Sequence, residues 1–253
     1  MEVSHRRSPA LIKWGVSIAA SIALLVVAYS TIMNNYFNPK EYYALDTTKE
    51  ITLADGSIIT LNKNSTLSLF KDFGGETREV ALSGEAFFDV KRDEQRPFII
   101  QTGNSTTRVL GTSFNINAYQ ADHVSVTVLS GKVSFSSSND EVILEKDDVA
   151  FYNKNENNIV KTENSDFNFL TWKTGVIRFE NTSLQEVVQF LSAHYNIDIL
   201  LESKEIQKCR ITAVFDNYTL EEVLSALEHI LSIQYTKHGN QIKVSGQECF
   251  IKN

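Results

Sequence analysis

Four carboxylates, Asp89, Asp93, Asp147 and Asp148, lie close to apolar runs in the middle of the chain. Two carboxylates facing each other across a cleft are the equipment of a glycoside hydrolase, which needs an acid and a nucleophile or base. These four fall at expected strand ends and turns, where acids normally face solvent, so no catalytic pair is expected. His5, His123, His194, His229 and His238 are scattered and lack both the i, i+4 spacing of a zinc helix and a Cys-x-x-Cys companion. No metal is expected. His194 and His229 read as late-helix residues, where partial positive charge suits the dipole. No glycine-rich loop joins a strand to a helix, so a phosphate cradle is missing and no cofactor is expected.

Covalent chemistry is conceivable only at Gly111-Thr112. A threonine hydroxyl can attack the carbonyl before it and turn an amide into an ester that water cleaves, provided the backbone is strained and the oxyanion stabilised. The plainer reading is a glycine that lets strands approach and a threonine that suits a strand; it is preferred because no activating base can be picked out. Cys209 and Cys249 are the only cysteines, which excludes a multi-bridge scaffold and leaves either one disulfide between them or two quiet strand cysteines.

The segment that would place these residues in a compartment is a run of twenty uncharged residues, Trp14 to Met33. As a helix rising about 1.5 Å per residue it matches the roughly 30 Å hydrocarbon core of a bilayer. Arg6, Arg7 and Lys13 precede it, whereas Lys40 follows beside Glu41, so residues 1–13 form a cytoplasmic tail and the body lies outside. The competing reading is a cleaved secretory signal with a weak site at Val26 and Ala28; its apolar region would be only about 7–15 residues. Beyond Lys13 the chain carries 21 Lys and Arg against 30 Asp and Glu, a net charge of −9. Such a body repels nucleic acid and anionic lipid heads, so a protein or small-solute partner is expected.

After a linker at 34–47, residues 48–152 alternate in the period-two manner of strands. Ile51, Leu53, Asp55-Gly56, Ile58, Ile59 and Leu61 read as a hairpin whose turn needs positive φ. The same grammar returns around Ser83-Gly84 and Ser130-Gly131. An all-β domain, a sandwich or a roll, is expected. Asparagines 153, 155, 157, 158 and 164 then mark a linker at 153–167.

Residues 168–253 contain a short duplication: Phe179-Glu180-Asn181-Thr182-Ser183-Leu184-Gln185-Glu186-Val187-Val188 matches Phe215-Asp216-Asn217-Tyr218-Thr219-Leu220-Glu221-Glu222-Val223-Leu224. Ser183 with Glu186, and Thr219 with Glu222, have capping-box spacing, so two helices start there. Leu184, Val187, Val188 and Leu191, and likewise Leu220, Val223, Leu224 and Leu227, form one apolar stripe each. With strands at 176–179, 197–201, 211–215, 233–236 and 242–244, the order is β-α-β then β-α-β-β. This predicts a small α+β domain with both helices on one face of one sheet. Open edges of that sheet invite a partner strand, and the expected edges are Val176, Ile177 and Phe179, or Gln241, Ile242 and Val244.

Several ordered motifs resemble the FecR-type transmembrane anti-sigma regulators. They are Ile51-Thr52-Leu53-Ala54-Asp55-Gly56-Ser57, the run from Arg78 to Val90, Pro97-Phe98, the run from Val109 to Ile116, and Gly131-Lys132-Val133. The duplicated domain is similar to the small signalling domain of secretins and TonB-dependent transporters. The resemblance implies a relay across the bacterial inner membrane. The outer part senses the periplasmic signalling domain of a TonB-dependent transporter, and the inner tail holds or releases an extracytoplasmic-function sigma factor. Some such regulators are cut at the Gly-Thr matching Gly111-Thr112. Relatives carry a longer sigma-binding segment before the anchor, and residues 1–13 are too short to bury about 800 Å² against a partner. A start codon placed too late is the expected reason. Outside this class, the alternatives are a tethered or secreted glycan-acting enzyme and an adaptor that has lost sigma binding.

Overall fold

The computed structural model describes residues 22–30, 39–70, 73–156 and 158–246. Residues 22–30 form an exposed helix, α1. The rest of the expected span, the tail 1–13 and Cys249 lie outside the described residues, among which no helix is long and apolar enough to cross a membrane. The chain divides into two units, meeting at Thr162 and Glu163.

The first unit runs β1 (Lys40–Ala44), β2 (Lys49–Thr52), β3 (Ile58–Leu61), β4 (Ser65–Leu69), β5 (Arg78–Asp89), β6 (Phe98–Thr102), β7 (Ser105–Val109), β8 (Ser113–Gln120), β9 (His123–Ser130), β10 (Val133–Ser136), β11 (Glu141–Leu144), β12 (Asp148–Asn153) and β13 (Asn158–Glu163). The main path is β11-β10-β7-β6-β5-β8-β9-β12-β13, with β3 and β4 also pairing β5. The Asp55-Gly56 hairpin forms as expected, pairing Thr52 with Ile58 and placing Gly56 at φ 87°. Ser83-Gly84 is not a hairpin turn. It lies inside the twelve-residue β5, whose first half pairs β4 and β6 and whose second half pairs β3 and β8. Gly84, at φ 95°, is the bend where the strand changes layer, and a Cβ there would sit 2.8 Å from the Ser65 Cα. Ser130-Gly131 is likewise a corner, because β9 pairs β8 and β12 whereas β10 pairs β7 and β11. Local turn chemistry signals positive φ but does not say whether the chain folds back or changes layer.

The two end strands approach each other through side chains: the Ile159 amide donates to Asp140 at 3.2 Å, and Lys161 Nζ to the Ile143 carbonyl at 2.9 Å. The sheet is therefore rolled and barrel-like around a core in which Phe88 stacks on Phe114 at 5.2 Å and meets Phe98 edge-on at 6.2 Å. β1 and β13 fall inside the expected linkers. Of β1 only Ala44 is buried, and no residue of β13 is, so neither strand carries an apolar alternation.

The second unit runs α2 (Thr171–Thr174), β14 (Val176–Ser183), α3 (Leu184–Tyr195), β15 (Asp198–Leu201), α4 (Lys204–Gln207), β16 (Arg210–Asp216), α5 (Leu220–Leu231), β17 (Ile233–His238) and β18 (Gln241–Gly246). Both capping boxes are present, with Ser183 and Thr219 as N-caps of α3 and α5. The duplication runs further than the sequence match. Asn181 and Asn217, at φ 48° and 57°, and the C-caps Asn196 and Ser232, at 53° and 52°, occupy equivalent left-handed positions 36 residues apart. The expected single sheet is instead two: an antiparallel pair β14-β16 and a triple β15-β18-β17. Helix α3 packs on β14 and β15, and α5 on β16 and β17, so each apolar stripe covers strands of both sheets.

Candidate functional site

Motif residues far apart in the first unit meet at one buried guanidinium. Arg78 Nη1 donates to Asp55 Oδ2 at 2.9 Å and to the Lys91 carbonyl at 2.8 Å; Nε donates to the Arg96 carbonyl at 2.8 Å, and the group lies 5.4 Å from the Phe98 ring centroid. The side chains are 1% and 5% exposed. Burial pushes the Asp55 carboxyl up, but hydrogen bonds from the Ser57 hydroxyl and amide and from Arg78, together with the Arg78 charge, outweigh it and leave the group below its usual 3.8. The Lys91 amide in turn donates to Ser57 Oγ at 3.1 Å. The bonds of this constellation run to the protein itself, including a long one of 3.5 Å from Arg78 Nη2 to the Leu110 carbonyl, so the motif clamps strands together.

Gly111-Thr112 is built in the same way. A Cβ on Gly111 would lie 2.5 Å from the Arg92 Cα, so only glycine admits the neighbouring chain. Thr112 is buried; its hydroxyl donates to the Lys132 carbonyl at 2.8 Å and its own carbonyl accepts from the Val90 amide at 3.0 Å. A carbonyl cannot take the proton that a nucleophilic threonine must lose. The four carboxylates are also engaged structurally. Asp89 accepts from Ser113, Asp93 pairs with Arg96 at 2.8 Å, Asp148 with Lys161 at 2.7 Å, and Asp147 holds a left-handed turn at φ 69°. Hydrogen bonds from Arg96 and Lys161 are the main reason that Asp93 and Asp148 lie below their ordinary pKa. His194 and His229 occupy the last turns of α3 and α5. Among the described residues no three His, Cys, Asp or Glu side chains converge on a metal position.

The expected docking edges divide differently from the sequence reading. Gln241, Ile242 and Val244 lie in β18, which is bonded to β15 on one side and β17 on the other, so this strand has no edge to offer. Val176, Ile177 and Phe179 lie in β14, whose inner side pairs β16. Its outer side is occupied by the preceding segment. The Arg178 amide donates to Asn168 Oδ1 at 2.7 Å and Asn168 Nδ2 donates to the Arg178 carbonyl at 2.9 Å. Thr171 donates to the Val176 carbonyl at 2.7 Å, and the Val176 amide donates to Thr174 at 3.2 Å. Side chains thus imitate a neighbouring strand. Two other edge strands have capped amides, Ile199 on Ser192 and Tyr235 on Glu228. β16 differs: among the described residues it pairs β14 alone, and Arg210, Thr212, Val214 and Asp216 are exposed. Cys209, just before β16, is buried and is not a free thiol; Cys249 lies outside the described residues.

The architecture that carries these residues is a rolled β body followed by a duplicated α+β module. The FecR protein family model matches residues 44–134, and the FecR C-terminal model matches residues 176–244. A crystal structure at 1.65 Å of a candidate anti-sigma factor from Parabacteroides distasonis ATCC 8503 is similar to the chain at 30% identity and a TM-score of 0.59, covering 83% of this chain and all of the other. A second at 2.50 Å, from the same organism, gives 30% identity, a TM-score of 0.58 and coverage of 83% and 99%. No curated protein matches. The chain belongs to the FecR family and is an anti-sigma regulator of that type.

Proposed function

We propose that this chain is a single-pass protein of the bacterial inner membrane with its bulk in the periplasm. Its second unit receives the periplasmic signalling domain of a TonB-dependent transporter, and it relays that contact to an extracytoplasmic-function sigma factor. The observation that carries the transporter contact is the exposed edge of β16 in the second unit. A partner strand added there gains backbone hydrogen bonds without disturbing the β14 ladder. The uncharged run from Trp14 to Met33 and the basic residues before it support the membrane placement. Family membership supports a non-enzymatic role, in which binding energy outside is converted into a change of sigma binding inside.

The test has two arms. Deleting the gene should change transcription from sigma-dependent promoters, and the full chain solubilised from membranes should retain a purified transporter signalling domain from the same genome. Recovery of the native protein in the soluble cytosolic fraction, or unchanged transcription with no retention, would sink the reading.

A further inference from the structure

In β14-β16 the outward groups of β14 are those of Val176 and Arg178, because these bond to Asn168, Thr171 and Thr174. Their register partners across the ladder are Asp216 and Val214. In an antiparallel pair such non-bonded partners both direct their N–H and C=O groups away from each other, so Asp216 and Val214 point outward from β16. By the period of two, Thr212 and Arg210 do so as well. β16 is continuous over Arg210–Asp216 and presents this row to solvent, with Val214 54% exposed.

We infer that this edge pairs with the same edge of a second copy of the chain, antiparallel and centred on Ala213. Centring there sets Arg210 opposite Asp216 of the partner copy, Thr212 opposite Val214, and the reverse pairs by symmetry. The edge is thus self-complementary in three respects. Opposite charges meet at both ends, two β-branched pairs cover the exposed Val214, and every outward backbone group faces another outward group, because even-numbered positions meet even-numbered positions. A register shift of one residue would set outward groups against inward ones, so the register can move only in steps of two, which carries the dyad to Thr212 or Val214 and separates Arg210 from Asp216.

The cap on β14 explains why the pairing closes. With both edges free, the β14 of one copy could add to the β16 of the next without end, a heterologous contact that grows into a filament. Asn168, Thr171 and Thr174 fill the β14 edge, so the isologous β16 contact is the one left, and it yields a dimer. This edge is the one proposed above for the transporter domain, and an edge takes one added strand at a time, so the dimer is the state of the chain without that partner and competes with it.

The test uses the full chain in intact cells carrying Ala213→Cys. At a non-bonded antiparallel pair the two Cα atoms are about 4.5 Å apart, within disulfide range. Mild oxidation should give a covalent dimer, whereas the parent chain and a Thr236→Cys control on β17 should not. Adding Asp216→Lys sets like charges opposite each other at both ends and should slow cross-linking by about tenfold. Adding Arg210→Glu as well should restore it, which a folding defect could not do. No dimer at position 213, equal cross-linking of all charge variants, or cross-linking to a different polypeptide alone would overturn the inference.

Discussion

Arg78 and Asp55 form a buried pair at 2.9 Å, joining the first residue of the long β5 to the turn of the first hairpin. Both belong to the ordered motifs of the sequence, and both serve the fold. Removing one partner leaves an uncompensated buried charge, which costs about 3–5 kcal/mol. Asp55→Ala should therefore lower the unfolding free energy by that amount in urea titrations of the full chain.

The same pair sets a pH dependence. The Asp55 carboxyl titrates below 3.8 when folded, so its contribution is complete above the unfolded value and is lost as pH falls through the lower folded one. The parent chain should lose stability on acidification below about pH 3.8, and Asp55→Asn should show a smaller loss over the same window. Parallel slopes for the two chains would mean that other carboxylates carry the acid sensitivity.

Gly84 lets β5 change layers. Alanine there must adopt φ 95° and push against Ser65, whose Oγ would be 2.4 Å from the new Cβ. Gly84→Ala is expected to cost about 1–3 kcal/mol. Removing the Ser65 side chain in a Gly84→Ala, Ser65→Gly double variant should recover at most part of the steric cost, because the Ser65 Cα stays 2.8 Å from the new Cβ and the Glu85 amide loses its hydroxyl acceptor. Thermal melting of Gly84→Ala, Ser65→Gly and the double variant separates the side-chain clash from the cost of the backbone conformation.

The two halves of the second unit make a matched comparison. Ser183 and Thr219 each accept from the amide three residues on, Glu186 and Glu222, at 3.3 Å. Replacing either cap by alanine should cost about 1 kcal/mol. Similar losses for the two variants in denaturant melts would show that the duplicated helices contribute alike; a loss at one position only would mean that tertiary packing alone holds the other helix.

Much of this was legible in the sequence because it rests on local spacing. The capping boxes, the helical stripes and the Asp-Gly hairpin each depend on residues within one or two turns of chain. The layer change at Gly84, the split of one small sheet into two, and the central place of β18 depend on which distant strand arrives alongside. No residue of Gln241–Gly246 announces that Asp198–Leu201 will pair in parallel with it. The Asn168 cap on β14 was hidden for a related reason. A polar residue in a loop reads as solvated until the edge it satisfies is in place.

Gly111-Thr112 resembles a cleavage site in sequence and a strand contact in space. The Thr112 hydroxyl proton is directed at the Lys132 carbonyl, the Gly111 Cα faces Arg92, and neither neighbour is a base. Purified protein should therefore run as one chain, with an intact mass by spectrometry and no new N-terminus at Thr112. Thr112→Val removes the hydroxyl and leaves the Lys132 carbonyl without that donor, which should cost about 1 kcal/mol of stability. A hydrolytic role makes a different prediction, namely two fragments in the parent chain and one band in the variant. The two outcomes differ in the parent lane, with the variant as the uncut reference, so a single purification of both chains decides whether this threonine is a nucleophile or a strut.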